Sequence, residues 1–232
     1  VNGMTRKDVQ IVEFPYPDDW YDKPEMMGPE MENPSELWLK RDHKNDLAFR
    51  PLETALEKGV TSFQDAGESF ATVDVIKQAA AQGALGIRLW VMVRDSNENI
   101  AAKMASYKAV GLANNHLTIA AIKKTIDGAI GSRGAWLLAP YSDAPASTGL
   151  NTAPVEDVKA LAALAAANGV QLAVHAIGDR ANRETLDIFE EALKANPDKK
   201  DVRWRVEHAE HLNPSDIPRL GRLDVIASTQ GI

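Results

Sequence analysis

Six runs rich in β-branched and apolar residues recur along the chain, and helix-type runs separate nearly all of them. The strand-type runs are "GVTSFQDAG" (59–67), "GIRLWVMV" (86–93), "LTIAAIKKTIDG" (117–128), "GVQLAVHAIGD" (169–179), "DVRWRVEHAE" (201–210) and "DVIASTQG" (224–231). Most of them close on Gly, Asp or another turn former. Between them stand "PLETALEKG" (51–59), "TVDVIKQAAAQG" (72–83), "NIAAKMASYKAVG" (99–111), "APVEDVKALAALAAANG" (153–169), "DRANRETLDIFEEALKANP" (179–197) and the shorter "NPSDIPRLG" (213–221). Their ends carry helix signals. Lys58 precedes Gly59, Pro154 precedes Glu156 and Asp157, Asn168-Gly169 stops the fourth run, and Asp179 is placed to cap the fifth. This alternation constrains the fold strongly, because strands joined through helical crossovers pair in parallel.

Two parallel architectures compete, a doubly wound open sheet and a (β/α)₈ barrel. No Gly-x-Gly-x-x-Gly follows any strand-type run, so the dinucleotide-binding fold lacks its main signal. Polar residues instead recur at or near the strand ends: Asp65, Lys123, Asp127, His175, Asp179, Glu207 and His208. Barrel enzymes collect their chemistry from that rim. The expected fold class is therefore α/β, a (β/α)₈ TIM barrel that is incomplete, with two of its eight strands outside this chain.

Composition narrows the partners. The 232 residues are 44% hydrophobic and 25% charged, ordinary for a globular chain long enough to bury a sizeable core. The net charge of −7 has no basic block within it, which gives no electrostatic reason to expect nucleic acid or an anionic membrane as partner. There is no cysteine, so disulfides, zinc-thiolate sites and cysteine nucleophiles are excluded. No apolar run approaches the roughly 20 residues that span a bilayer, and no leader opens the chain. A cytoplasmic location is the expectation. Export stays open, because a leader would stand upstream of Val1. Residues 1–34 include "VEFPYPDDWYDKPEMMGPEMENP" and read as an irregular arm; residues 35–232 read as the barrel domain. Trp20, Met26, Met27, Met31 and Trp38 are candidates for an exposed apolar patch, which would suit a homo-oligomer contact. The chain stops on "DVIASTQGI", a core-type strand, and reads as a piece of something longer.

Two constellations carry chemistry. His175 and His208 both end strand-type runs with one helix-type run between them. On neighbouring barrel strands both imidazoles could face one point above the rim, where a divalent ion takes imidazole nitrogen and carboxylate oxygen. A hydrogen-bonded core histidine is the alternative for each. In "AIKKTIDGAIGSRGA" (121–135), Lys123 and Lys124 sit in an apolar strand, where a free ammonium is costly to bury. Strand neighbours point to opposite faces, so at most one of them points inward. The other possibility is a solvent-facing strand with snorkelling stems. An inward lysine whose pKa is lowered by burial can react with CO₂ to give a carbamate, a carboxylate-like bridge between metals.

"IKKTIDGAIGSRGA", "VHAIGDRAN" and "VEHAEHL", in this order, resemble the amidohydrolase superfamily, in the branch that includes N-substituted formamide deformylase. The resemblance runs from about Gly59 to the C-terminus. It implies a metal-dependent (β/α)₈ hydrolase with a His-x-His pair on strand 1, a Lys on strand 4, one His each on strands 5 and 6, and an Asp on strand 8. The family's lysine stands four residues before Asp-Gly, which selects Lys123; the strand 5 and strand 6 histidines fall on His175 and His208. The six runs would then be strands 2 to 7. No His-x-His occurs here, no strand follows "ASTQG" to carry the general-base Asp, and the family's small β-domain is absent. Three of six ligands are present, so an incomplete centre is expected, with the catalytic base outside this chain.

The implied reaction uses divalent metal, zinc by expectation, to activate a water that attacks an amide-type, non-peptide C–N bond of a small-molecule substrate. Asp127, Arg133, Tyr141, Asp179 and Arg180 are candidates for the substrate side or for orienting the ligands. The Gly-rich loop around Arg133 is a candidate lid. Glu207 would point away from the interior if His208 points in. His211 falls past the strand end and reads as a loop residue, while His43 and His116 have no partner at useful spacing. A phosphoester or lactone hydrolase with the same ligands, or a non-catalytic α/β binding domain, are the competing readings.

Overall fold

The computed structural model describes residues 50–231. The arm at 1–34, its apolar residues and His43 lie outside the described residues. The elements are α1 (Arg50–Glu57), β1 (Ser62–Glu68), α2 (Phe70–Ala81), β2 (Arg88–Val93), α3 (Asn97–Tyr107), β3 (Ala109–Gly111), β4 (Leu117–Thr125), α4 (Val155–Asn168), β5 (Gln171–Ala176), α5 (Asp179–Ala195), β6 (Arg205–His208), α6 (Ile217–Arg222) and β7 (Ile226–Ser228). Six strands pair in parallel in the order β1-β2-β4-β5-β6-β7. That order follows the chain without reversal, so the sheet has no switch point and is not doubly wound. It is the parallel half of an α/β barrel, and the expected six strands are all present.

Two local expectations are corrected. The helix read over 99–111 stops at Tyr107, and Ala109–Gly111 forms the short β3, antiparallel to β4 through Ala109 and Ile119. The Lys108 ammonium donates to the Asn168 and Gly169 carbonyls, which pulls the chain out of the helix there. Asp179 does not cap α5. Gly178 is the N-cap, and Asp179 is the first helical residue, its carboxylate accepting the Leu138 N–H at 2.8 Å.

Strand alternation sorts the side chains into two layers. Leu89, Val91, Val93, Ile119, Ile122, Leu172, Val174 and Val206 face the helices, where they share one core with Phe70, Ile76, Met104, Leu161, Leu186 and Phe189. The alanines of α4 at 162, 165 and 166 are fully buried; their small side chains let that helix lie close to its neighbours. Trp204, just before β6, packs on Phe189 with ring centroids 5.0 Å apart and donates its indole N–H to the Val170 carbonyl. Burying such side chains stabilises the fold by roughly 1.5–3 kcal/mol each.

On the other layer the apolar cluster is small: Met92, Ala121 and Ala173, with Trp90 against them. The rest of this concave face is polar. Above it folds the long β4–α4 connection, tied by the Leu137 N–H to the Thr148 carbonyl at 2.7 Å. The approach is close enough that a Cβ on Gly149 (φ +88°) would lie 1.8 Å from the Ala135 carbonyl oxygen.

Candidate metal centre

Register fixes which side chains meet. Lys123 pairs with Ala173 and Ala173 with Arg205; Thr125 pairs with His175 and His175 with Glu207. Partners across a sheet share a face, so Lys123, His175, Arg205 and Glu207 all lie on the concave side. Lys124 takes the helix side, where its ammonium donates to the Asn97 side chain at 3.1 Å. Lys123 is only 6% exposed.

His208 breaks the alternation. It follows Glu207, which already faces inward, so a regular strand would send its ring outward. Instead His208 and Ala209 take φ of +74° and +46°. Left-handed backbone costs a non-glycine residue about 1–2 kcal/mol. The result is that the His208 and His175 rings meet edge to face, centroids 4.4 Å apart and planes at 70°. The expectation that Glu207 points away is therefore corrected: Glu207 and His208 both belong to the rim side. Glu207 pairs with Arg205 at 2.5 Å, and Arg205 reaches across the concavity to Gln64 on β1 and the Met92 sulfur on β2.

Burial and nearby charge disfavour the protonated forms of His175 and Lys123. Burial first, then the charges of His208 and Lys123, pull the His175 pKa down from 6.5 to about 4. Its Nε2 lies 3.5 Å from the Asp127 Oδ1, too long for a hydrogen bond, and is buried without a partner. The pair is thus not an ion pair at neutral pH; the imidazole is neutral. Burial likewise pushes the Lys123 ammonium below its ordinary range. Glu207 pulls it back up, while Arg94 and Arg205 push it further down.

The depressed His175 pKa predicts an acid-sensitive fold. The unfolded chain takes up the proton first, so His175 weakens the folded state as pH falls from 6.5, and the loss is complete below about 4. Denaturant titrations across that window should show the wild type losing on the order of 1–3 kcal/mol more than His175→Asn. The half-buried carboxylates Asp65 and Glu68 and the buried Asp127 are raised instead and run the other way. They are common to both proteins and largely cancel in the difference. Parallel curves would show that His175 is solvated.

Asp127 is a cross-link between strand ends. It is 1% exposed. Its Oδ1 accepts the Ile177 N–H at 3.0 Å, and its Oδ2 accepts those of Trp136 and Gly178 at 2.9 and 2.8 Å. One carboxylate thus joins the end of β4, the loop above it and the β5–α5 turn. Burial raises its pKa, and the three N–H groups oppose the rise.

The remaining candidates divide. The Tyr141 hydroxyl is buried and donates to the Ala135 carbonyl at 2.8 Å, which holds the loop. Arg133 (φ +55°) pairs with Asp143 at 2.9 Å on the exposed side of the loop. The Gly-rich segment is a compact turn, closed by Gly128 N–H to Gly134 carbonyl and Gly134 N–H to Ala129 carbonyl bonds. Asp179 anchors Leu138, as above. Arg180 lies over the Trp136 ring, 4.6 Å from its centroid, close to Glu184 at 3.8 Å.

Three residues that sequence reasoning passed over shape the site. Asn182 is fully buried and donates to the Ala176, Ile177 and Gly178 carbonyls, fixing the turn after His175. A buried-side Asn one turn into an amphipathic helix was its only signal. Arg205 and Gln230 had none, because their partners lie on other strands.

The residues suit a divalent ion in part. The bare, buried Nε2 of His175 beside a second imidazole is what a cation site presents before it fills. Lys123 as an ammonium has no lone pair to give and qualifies only after losing its charge. Among the described residues no group of three or more His, Asp or Glu side chains could hold a metal ion. The centre therefore offers two imidazoles and a buried lysine, and needs further ligands.

Comparison with known proteins agrees with this geometry. The family model described as "Amidohydrolase family" matches residues 31–232. Protein LONG AFTER FAR-RED 3 of Arabidopsis thaliana is 32% identical over 206 residues, covering 83% of this chain and 35% of that protein. The crystal structure of an "uncharacterized metal-dependent hydrolase" from Pyrococcus horikoshii superposes with a TM-score of 0.66 at 30% identity, over 78% of this chain and 35% of the other. A protein of the same description from Pyrococcus furiosus gives 0.66 at 27%, over 78% and 36%. The chain thus spans about a third of the length of these relatives. With a family match over most of its length, on a parallel half-barrel that carries its polar residues at the rim, the chain belongs to the amidohydrolase family.

Proposed function

We propose that this chain supplies one side of a metal-dependent hydrolase site, with His175 and His208 as metal ligands and Lys123 as a third. The observation that carries the reading is the bare Nε2 of a buried, neutral His175 in edge-to-face contact with His208. Zinc is the expected ion, because imidazole suits it. A divalent ion there supplies Lewis acidity, making water acidic enough to ionise near neutral pH. His175 contributes a nitrogen that stays unprotonated well below neutral pH. Lys123, whose ammonium burial disfavours, would add to CO₂ through its amine lone pair once deprotonated; the new N–C bond gives a carbamate anion and releases one proton. Arg94 and Arg205, which disfavour the ammonium, would favour that anion. Arg180 and Trp136 stand by the rim as the substrate side, and Asp127 and Asp179 hold the turns beneath. The substrate class is a small molecule with an amide-type, non-peptide C–N bond, as the family name suggests. A complete centre takes further ligands and a general base beyond these three residues. Among the described residues no helix is long and apolar enough to cross a membrane.

Zinc titration followed by calorimetry tests this. His175→Ala and His208→Ala should each weaken binding by at least about tenfold, and intact mass should show Lys123 gaining one CO₂ in bicarbonate. No bound zinc and no thermal stabilisation by it, in this chain and in the longer protein alike, would overturn the reading in favour of a non-catalytic domain. For the longer protein, hydrolysis of amides rather than phosphoesters or lactones is expected.

A further inference from the structure

We propose that Gln230 is a positioning residue: its amide oxygen fixes the ring orientation and tautomer of His208, leaving Nε2 as the ring's lone-pair atom. β7 pairs in parallel with β6 through Glu207 and Ser228, which brings the residues just past both strands to the same stretch of rim. There the Gln230 Oε1 stands 2.7 Å from the His208 Nδ1. An amide oxygen only accepts, so Nδ1 carries the hydrogen; a neutral imidazole has one, and Nε2 is bare. Histidines that hold metals commonly give their other N–H to such an acceptor, which fixes the ring.

The backbone adds a reason for the contact. His208 and Ala209 are both left-handed, and that geometry persists only where surrounding bonds hold it. The Ala209 N–H donates to the Ala176 carbonyl at 3.2 Å and the His211 N–H to the Ile177 carbonyl at 3.0 Å. These pin the chain to β5 but leave the ring free to turn. Gln230 supplies the side-chain contact that stops the rotation. The inference rests on the reading of His208 as a ligand, yet the tautomer exists without any metal.

The test uses ¹⁵N-labelled, metal-free chain at a pH well above the ordinary imidazole value of roughly 6.5. Two-bond ring correlations should show His208 as the Nδ1–H tautomer in the wild type and in Gln230→Glu, whose carboxylate also accepts. Gln230→Leu should shift it to the Nε2–H form. Zinc affinity should fall by about 10–100-fold in Gln230→Leu and recover in Gln230→Glu. Gln230 is exposed, so unchanged circular dichroism and melting are expected in both variants. An Nε2–H tautomer in the wild type, or a tautomer indifferent to Gln230→Leu, overturns the proposal even if zinc binds. A tautomer that follows Gln230 where neither this chain nor the longer protein binds zinc sustains it and overturns the metal reading instead.

Discussion

Gly178→Ala is expected to cost the fold about 3 kcal/mol or more, at the upper end for overpacking. The added Cβ would lie 2.0 Å from the Trp136 carbonyl oxygen, 2.5 Å from its carbon and 2.6 Å from its nitrogen. All three are backbone atoms, so no side-chain rotation relieves the clash. The glycine is not needed for its conformation, since φ −70° and ψ 153° suit any residue. It is needed for the contact. Displacing Trp136 would also break the bonds that its carbonyl accepts from the Arg180 and Ala181 N–H groups. His175 stands three residues upstream, so zinc affinity should fall with stability. Chemical denaturation measures the cost, and a loss under about 1 kcal/mol would show that the loop is free to move aside.

Asp127→Ala is the second large effect. It leaves three N–H groups without an acceptor, the buried ones of Ile177 and Gly178 and the part-buried one of Trp136. Each orphaned donor costs about 1–3 kcal/mol, and the sum is expected at about 3–5 kcal/mol. Asp127→Asn keeps the size and one acceptor but turns an NH₂ toward donors, so it should fall between. The pair of variants separates two roles. A cross-link loses stability in both. A metal ligand would lose zinc in Asp127→Asn with stability near that of the wild type, and that outcome would sink the cross-link.

The glycine and the aspartate explain why "HAIGD" and "TIDG" read as they do. The β4 end, the β5 end and the loop between them converge on one carboxylate, and only a residue without a side chain leaves room for the Trp136 backbone. From the sequence, Asp127 was a candidate for the substrate side or for fixing a turn and orienting the ligands; in the structure its carboxylate accepts three backbone N–H groups. Tyr141 was not legible in the same way. A tyrosine in a polar loop gives no sign that its hydroxyl will be buried against the Ala135 carbonyl six residues earlier. The cap of α5 was misread for a related reason. Asp179 is the better cap by residue type, but its carboxylate is drawn to Leu138, 41 residues away.

What the sequence determined by itself was the part that depends on period. Alternating strand and helix runs point to a parallel sheet, and the period of two puts Lys123 and Lys124 on opposite faces. These follow from local geometry that no neighbour alters. The register between β4 and β5 is what sets His175 on the concave side. Tertiary structure alone decided where His208 points, which way Glu207 faces and what Gln230 does. The left-handed turn at His208 and Ala209 overrides alternation, and it is held by hydrogen bonds from Ala209 and His211 to the end of β5. A backbone conformation unfavourable to both residues cannot be inferred from their types. It exists because contacts between strands distant in sequence outweigh its local cost.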